Sequence, residues 1–330
     1  MQKLIEEVYP NIYKLSLDIP VPLKAINIYF IKGQDGWSIV DCGFHNQQSE
    51  KTWYKVFEEL RIDYNDISKI IVTHFHPDHY GAAGWLQEIT GAPVLLLDKE
   101  KKTIERNWLD KSYPSKLKQF FMEYGMPEKA VLDLDNHYKS SYLNITPHPK
   151  DITLLSNGDE IQLGDYRFKT IWSPGHTEGL MTFWCEEEAV FISNDLVLPE
   201  ITPNISFLAN SAANPLSDFF FSLRSIRSLP AAITLPGHRQ LITNLEKRVD
   251  EIIDHHGHRL ELVKTILMNK QEGTNNCISA LDISMELFGH LPESIIVRFA
   301  FPETLSHLEY LVQNGEIKKL YVNNKYYYYK

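Results

Sequence analysis

The sequence predicts an α/β sandwich, in which two facing β-sheets lie between outer layers of helices, followed by a small C-terminal winged-helix domain. Two groups of β-branched and aromatic runs, each interleaved with amphipathic helical patterns, indicate the sandwich. A change of pattern near residue 246 indicates the second domain. We therefore expect a main domain over residues 1–245, with a helical insert at 98–150, and a second domain over 246–330.

The first group of runs predicts five strands, and apolar spacing predicts two helices between them. A hairpin turn is expected at residues 33–36 (GQDG). The strands are expected at residues 12–17, 26–32, 37–41, 69–72 and 93–97, and the helices at 50–60 and 81–89.

Residues 98–150 differ in character, because they are rich in Lys, Tyr and Trp and carry no strand signal. Helical patches at 101–109 and 115–124 predict a lid over whatever site the sheets build. The insert has ten Lys and Arg against eight Asp and Glu, which mildly favours an anionic substrate.

The second group of runs predicts six strands and one helix, with turns at Asn157-Gly158 and at residues 163–165. The strands are expected at 152–155, 160–163, 166–172, 181–185, 189–193 and 232–235, and the helix at 216–229.

The C-terminal pattern is three helices and a hairpin, which is typical of a winged-helix module. The helices are expected at 245–267, 279–287 and 293–313, and the hairpin strands at 317–322 and 326–329. From Arg259 to Lys330 the chain has eight Lys and Arg and eight Asp and Glu, so it is neutral. Since a DNA-reading wing is normally basic, this favours packing or a dimer contact.

Composition and charge exclude several classes of protein. The net charge of −10 argues against a general nucleic-acid binder, although a local basic groove stays compatible with it. No apolar run approaches the roughly 18 residues of a membrane span. The first ten residues have no apolar run for a signal peptide. Cys42, Cys185 and Cys277 are odd in number and far apart, so no disulfide framework is expected. We expect a cytoplasmic protein with a small-molecule substrate and no membrane partner, and a homodimer stays an open alternative.

The strongest functional signal is residues 73–79 (THFHPDH), which contain the pattern His-x-His-x-Asp-His. The odds of a chance match in this chain are roughly one in a thousand. On extended chain beyond a strand, alternate residues point the same way, which aims His74 and His76 together. Pro77 suits the first position of a helix, so Asp78 and His79 fall in its first turn.

Three distant residues share the position just beyond an apolar strand. His176 follows the strand ending at residue 172, Asp195 follows 190–193, and His238 follows 233–235. Strand ends of this kind are where α/β folds gather their sites. Imidazole and carboxylate without thiolate suit Zn²⁺, Fe²⁺ or Mn²⁺, with zinc as the default.

Over about residues 8–245 the sequence resembles the metallo-β-lactamase superfamily, with the four-layer αββα sandwich that this family implies. The C-terminal module resembles the winged-helix tail of the subgroup containing β-lactamase-like protein 2 and bacterial thioesterase-type relatives. The resemblance implies two divalent metal ions, each with its own ligands, one bridging ligand between them and one supporting residue. The first metal would be held by His74, His76 and His176, the second by Asp78, His79 and His238, both by the bridging Asp195, and Asp41 would support the ligands without binding metal.

The activity so implied is hydrolysis by a metal-bridging hydroxide, with a small thioester, lactone or related ester as the favoured substrate. Asp78 or Asp195 would orient the nucleophile and pass a proton to the leaving group. The alternative within the superfamily is a metal-dependent endoribonuclease or phosphodiesterase, against which the acidic charge counts. A regulator with a vestigial site conflicts with the complete ligand set.

Other residues near the motifs leave two interpretations open. Four residues near the ligands would line the substrate pocket: Tyr80, Trp85, Asn204 and Phe207. A role in packing the core is an equally weighted alternative for them. The histidines at 255, 256 and 258 lie in a charged helical stretch without a matching motif. For them we expect a solvated or interface-facing helix rather than another metal cluster.

Overall fold

A computed structural model describes residues 4–19, 23–132, 134–271, 277–289 and 291–330 of the chain. Its strands form one seven-stranded sheet, one five-stranded sheet and one hairpin. The strands are β1 Ile5–Tyr9, β2 Ile12–Asp18, β3 Ala25–Gly33, β4 Gly36–Val40, β5 Ile67–Ile71, β6 Val94–Leu97, β7 Ile152–Leu155, β8 Glu160–Leu163, β9 Tyr166–Trp172, β10 Met181–Cys185, β11 Val190–Asn194, β12 Ile233–Pro236, β13 Lys318–Val322 and β14 Lys325–Tyr329.

Helices connect the strands and make up most of the C-terminal segment. They are α1 Gln47–Leu60, α2 Pro77–Tyr80, α3 Ala83–Thr90, α4 Asp98–Ile104, α5 Tyr113–Glu123, α6 Glu128–Val131, α7 Leu134–Leu143, α8 Pro215–Ile226, α9 Leu245–Gln271, α10 Ala280–Phe288, α11 Glu293–Ile295 and α12 Phe301–Gln313. One 3₁₀ turn, Tyr64–Asp66, precedes β5, and π-helical turns at Glu105–Leu109 and Ile296–Ala300 follow α4 and α11.

The strand directions place the residues that follow the functional strands at one edge of each sheet. The seven-stranded sheet runs in the order β1 to β7, antiparallel from β1 to β4 and parallel from β4 to β7. The five-stranded sheet runs β12-β11-β10-β9-β8, with β11 and β12 parallel. Because parallel strands end at the same edge, Asp195 after β11 and His238 after β12 emerge side by side.

Among the described residues, the buried hydrophobic side chains form three clusters that explain the layering. One lies between the two sheets and joins Val40 and Ile71 of the first sheet to Phe183 and Ile192 of the second. A second packs the first sheet against helices and includes Trp53 of α1. The third packs the second sheet against α8, α9 and the C-terminal helices. Since β10 and β11 are buried throughout, both faces of the second sheet are covered at these two strands.

The C-terminal segment packs against the rest of the chain instead of standing apart from it. Phe301 and Leu308 of α12 belong to the same cluster as Phe191 of β11 and Phe219 of α8. Within the described residues, no helix combines the length and the apolar character needed to cross a bilayer.

Most elements agree with the sequence prediction, and the exceptions have local causes. The α/β class is confirmed, but β1 was not predicted, because charged residues Glu6 and Glu7 occupy its centre at the sheet edge. The insert holds two further short helices, α6 and α7, whose apolar periodicity is weak. The predicted helix over 293–313 is interrupted by a π-helical turn before α12 begins.

Candidate metal centre

The loop after β5 has the local structure that its motif predicts. Pro77 opens α2, with Asp78 and His79 in its single turn. The carbonyl of His76 accepts the backbone N–H groups of His79 and Tyr80, each at 2.9 Å. This turn separates the side chains into two groups, one before Pro77 and one after it.

Three histidine nitrogens converge in the first group. His76 Nδ1 lies 2.9 Å from His74 Nε2 and 3.1 Å from His176 Nε2. The rings of His74 and His176 are separated by 5.1 Å and meet edge to face. Three ring nitrogens aimed at one point form a candidate site for a first divalent cation.

A second group contains Asp78, His79 and His238. Asp78 Oδ2 lies 3.6 Å from His238 Nε2 and 3.9 Å from His79 Nε2. These three residues form another set whose ligand atoms lie within 4.8 Å of one another.

Asp195 stands between the two groups. Its Oδ2 lies 3.5 Å from Nε2 of both His79 and His238 and 3.6 Å from Nε2 of His176. One carboxylate therefore contacts histidines of both groups, which is what a bridging ligand requires.

Hydrogen bonds to the far side of the rings determine which nitrogen faces the centre. His176 Nδ1 donates to the Asn204 carbonyl at 2.9 Å, and His238 Nδ1 donates to the Ala25 carbonyl at 2.7 Å. His79 Nδ1 donates to Asp41 Oδ2 at 2.8 Å. Since carbonyl and carboxylate oxygens accept these hydrogen bonds, each Nδ1 carries a proton and Nε2 is the ring nitrogen turned towards the centre, where a metal would bind it.

The residues present fit a pair of divalent cations. Nε2 of His79, Nε2 of His238 and Oδ1 of Asp195 are buried without a hydrogen-bond partner among the described residues. Each unmatched buried polar atom costs about 1–3 kcal/mol, a cost that metal coordination removes. Five imidazoles and two carboxylates form a donor set that suits a transition metal such as zinc, iron or manganese.

Burial and neighbouring charges set the protonation of these side chains. Burial, assisted by the neighbouring histidines, holds the pKa of His74 and of His76 well below the usual range, so both are neutral and able to bind a metal. Burial alone would raise the pKa of Asp195, but His238 and His79 outweigh it and hold that pKa well below its usual range. Asp195 is therefore a full carboxylate.

Asp41 is fully buried beside the second group, and its carboxylate accepts a hydrogen bond from one candidate ligand, His79. It also accepts the backbone N–H of Thr73 at 2.9 Å and the side-chain amide of Asn194. These contacts place Asp41 behind His79, and its supporting role stays a prediction. Asn194 was missed, although it adjoins Asp195 and its Oδ1 accepts the backbone N–H of Asp195 at 2.8 Å.

Glu100 is a second residue that the sequence prediction missed. It is completely buried, and burial raises its pKa to about 8. It accepts the backbone N–H of Phe75 at 2.6 Å and the hydroxyl of Thr177 at 3.4 Å, so it joins the two loops that carry the three-histidine group. The Lys-rich stretch around it gave no signal of burial.

The four residues expected to line the substrate pocket fall into different environments. Tyr80 and Trp85 are in the hydrophobic core, where the Tyr80 hydroxyl contacts His148 Nδ1 at 2.9 Å. Phe207 packs on Phe120. These positions agree with the packing alternative, and contact with substrate stays a prediction. Asn204 holds His176 as described.

The three histidines of α9 differ in their exposure to solvent. His255 and His258 are exposed, as predicted, but that prediction is wrong for His256, which is buried with its Nδ1 3.1 Å from His307 Nε2. These two rings and Glu303 form a further group of ligand atoms within 4.8 Å. Arg259 and Asn204 already occupy the Glu303 carboxylate, which argues against a metal there.

Comparison with known proteins identifies the family. The family model described as the metallo-beta-lactamase superfamily matches residues 21–238. The chain belongs to this superfamily. The predicted resemblance is confirmed, and the seven candidate ligands from His74 to His238 lie within the matched range.

Relatives agree with a metal-dependent hydrolase. A probable metallo-hydrolase, YqjP, of Bacillus subtilis is 21% identical over 95% of this chain and 97% of its own. An atrochrysone carboxyl ACP thioesterase of Aspergillus fumigatus is 23% identical over 85% of this chain and 73% of its own. The crystal structure of a metallo-beta-lactamase family protein of Thermus thermophilus aligns with a TM-score of 0.86 and 30% identity, over 98% of this chain and 100% of that one. The superfamily member described here is thus a metal-dependent hydrolase with candidate His and Asp metal sites.

Proposed function

We propose that this metallo-beta-lactamase relative is a binuclear hydrolase of a small thioester, lactone or related ester. The observation that carries the proposal is the position of Asp195, whose Oδ2 lies within 3.6 Å of histidine nitrogens from both ligand groups. Zinc is the proposed metal, with iron or manganese as substitutes.

The chain's own residues would divide the work as follows. His74, His76 and His176 would hold one cation, Asp78, His79 and His238 the other, and Asp195 both. When bound, such a pair lowers the pKa of a shared water towards 7 and so supplies hydroxide near neutral pH. The Asp78 side chain is 14% exposed, against 6% for that of Asp195, so Asp78 is the better placed of the two to pass a proton to a leaving group.

The proposed substrate class rests on chemistry and on a relative. A thioester or lactone carbonyl needs a nucleophile and a proton donor, and the candidate centre offers both without a Ser or Cys nucleophile. The Aspergillus fumigatus relative is named a thioesterase.

An anionic substrate stays part of the proposal, but the small excess of positive charge in the insert supports it only weakly, because several basic side chains of the insert are paired within the protein. Four of its basic side chains form ion pairs: Lys101 with Glu105, Arg106 with Glu178, Lys116 with Asp110, and Lys150 with Glu88.

We also propose a domain organisation for this activity. Residues 1–245 would be a four-layer αββα catalytic domain, with 98–150 as a lid, and 246–330 a winged-helix-like domain. The cluster between the sheets and the helices packed outside them support the layering. The hydrogen bond from Trp108 Nε1 to the Phe75 carbonyl, 3.0 Å long, supports the lid, because it ties the insert to the ligand loop.

The proposed activity can be tested with a ligand variant and a histidine control. Purified wild-type protein, His76→Ala and His258→Ala would be compared for metal content and for hydrolysis of acyl thioesters, lactones and single-stranded RNA. His258 is exposed on α9, so its removal changes the histidine count without touching the centre. We expect about two metal ions per chain, and ester or thioester turnover that is lost only in His76→Ala.

Two results would contradict the proposal. Wild-type protein without transition metal, or a fully active His76→Ala variant, would remove the metal-dependent mechanism. Cleavage of RNA with no turnover of any ester would assign the chain to the nuclease branch instead.

A further inference from the structure

The segment that carries Asn204 has no secondary structure of its own. Residues 195–214, all of them described, contain neither helix nor strand. The carbonyl of Asn204 nevertheless accepts the hydrogen bond of His176 Nδ1, one of the bonds that orient a candidate ligand. The equivalent acceptor for His238 is Ala25, the first residue of β3, which the sheet fixes. A loop of this length must be held by contacts from outside itself to place a ligand accurately.

Those contacts come from the C-terminal segment on both sides of Asn204. Arg248 of α9 donates to the carbonyls of Leu198 and Ile201, each at 2.7 Å. On the other side, the backbone N–H of Phe207 donates to the carbonyl of Pro302 at 3.1 Å. Both ends of the loop are therefore attached to helices that lie beyond the last candidate ligand in the sequence.

Asn204 itself is anchored by its side chain. Its Nδ2 donates to Glu303 Oε2 at 2.7 Å and to the Phe299 carbonyl at 3.2 Å. Its Oδ1 accepts the hydroxyl of Ser206 at 2.6 Å. Burial raises the pKa of the Glu303 carboxyl, while the paired Arg259 guanidinium opposes that rise, so Arg259 both holds this acceptor in place and favours its charged form. Hydrogen bonds to a charged partner are about twice as strong as neutral ones.

We propose that Glu303 is a positioning residue for His176, acting through Asn204, so that the C-terminal segment tunes the metal affinity of the catalytic centre. His176 Nε2 lies 3.1 Å from His76 Nδ1, and a small turn of its ring would break this convergence. Removing the Glu303 contact takes away the shorter hydrogen bond that Asn204 Nδ2 donates, and so loosens the backbone carbonyl that directs the ring. This proposal rests on the proposed binuclear centre, and it adds a role to a segment whose neutral charge predicted only packing or dimer contact.

A double-mutant cycle tests the connection. Wild type, Asn204→Ala, Glu303→Gln and the double variant would be stripped of metal and titrated with Zn²⁺ against a competing chelator. Co²⁺ titrations of the same proteins would report the ligand geometry by their visible absorption. Partners that orient ligands change metal affinity by about 10–100-fold, so each single variant should weaken the first or second Zn²⁺ step by that factor. Because both changes cut the same link, the double variant should bind Zn²⁺ no more weakly than the weaker single one.

Glu309→Gln is the matched control. Glu309 lies on the same helix, is similarly buried, pairs with Lys319 at 2.8 Å and accepts the Tyr328 hydroxyl, so its hydrogen bonds are directed away from the loop. It should lose stability without changing either Zn²⁺ step. Asn204→Ala keeps Glu303 paired with Arg259, so it reports the link even when Glu303→Gln does not fold.

The outcomes separate this proposal from the proposed function. A wild type that binds two Zn²⁺ while Asn204→Ala binds them equally well would overturn the positioning role and leave the hydrolase proposal standing. Additive losses in the cycle, or an equal loss in Glu309→Gln, would also overturn it, because they would reflect general destabilisation. A wild type that binds no Zn²⁺ would overturn both proposals.

Discussion

Replacing Asp41 by Asn is the sharpest test of the candidate centre, because the backbone tolerates the change. Asp41 has φ +65°, a left-handed conformation that Asp and Asn adopt more readily than most residues. The two side chains have nearly the same size. Any effect therefore comes from the carboxylate and its hydrogen bonds.

The size of the effect follows from the donors that surround this carboxylate. Oδ1 accepts the N–H of Thr73, while Oδ2 accepts His79 Nδ1 and the amide of Asn194. The side-chain amide of the Asp41→Asn variant would have one accepting oxygen. The donors that now bind the other carboxylate oxygen would therefore face its NH₂ group. Each buried donor left unmatched costs about 1–3 kcal/mol, so the free energy of unfolding should fall by about 1–6 kcal/mol, depending on the flip. Zn²⁺ affinity at the Asp78, His79 and His238 group should fall by about 10–100-fold.

The assay combines chemical denaturation of the metal-free protein with a two-step Zn²⁺ titration against a chelator. Asp159→Asn is the control, since Asp159 is exposed in a turn and its carboxylate accepts a local backbone N–H. The reasoning is refuted if Asp41→Asn keeps the wild-type Zn²⁺ affinity for both steps and the wild-type stability.

Three further predictions address other parts of the site. Asp195→Asn should lower metal content and turnover by orders of magnitude, more than Asp41→Asn does, because Asp195 Oδ2 contacts histidines of both groups. Two tightly bound metals in the Asp195→Asn variant would show that the bridge is misassigned. Gly237→Ala should abolish Zn²⁺ binding in a folded protein, since its Cβ would lie 2.1 Å from Asp195 Oδ1, and metal analysis with a circular dichroism spectrum checks this. Burial raises the pKa of Glu100 from 4.5 to about 8, so the folded state holds its proton more tightly than the unfolded state. The free energy of unfolding should therefore fall as the pH rises from 4.5 to 8, and Glu100→Gln should lack this part of the slope; equal slopes in denaturation at pH 5, 6.5 and 8 would contradict it.

The sequence by itself determined most strands, most helices and the identities of the candidate ligands. His74 and His76 alternate on extended chain, and Pro77 starts a helix that redirects Asp78 and His79. His176, Asp195 and His238 each follow a strand, and strand ends are recognisable from local apolar runs. These features depend on a few neighbouring residues, so a single sequence records them.

Only the tertiary structure decided how the ligands are aimed and which partners hold them. Glu100 contacts a loop 25 positions away, and Asn204 meets Glu303 across 99 positions. Glu100 is buried by packing, whereas the Lys-rich stretch around it is typical of an exposed helix. Likewise, His256 is buried because α12 covers it, as its contact with His307 shows. Hydrogen bonds of this kind join residues that approach each other only when the sheets and helices pack, and no local pattern of side chains records that approach.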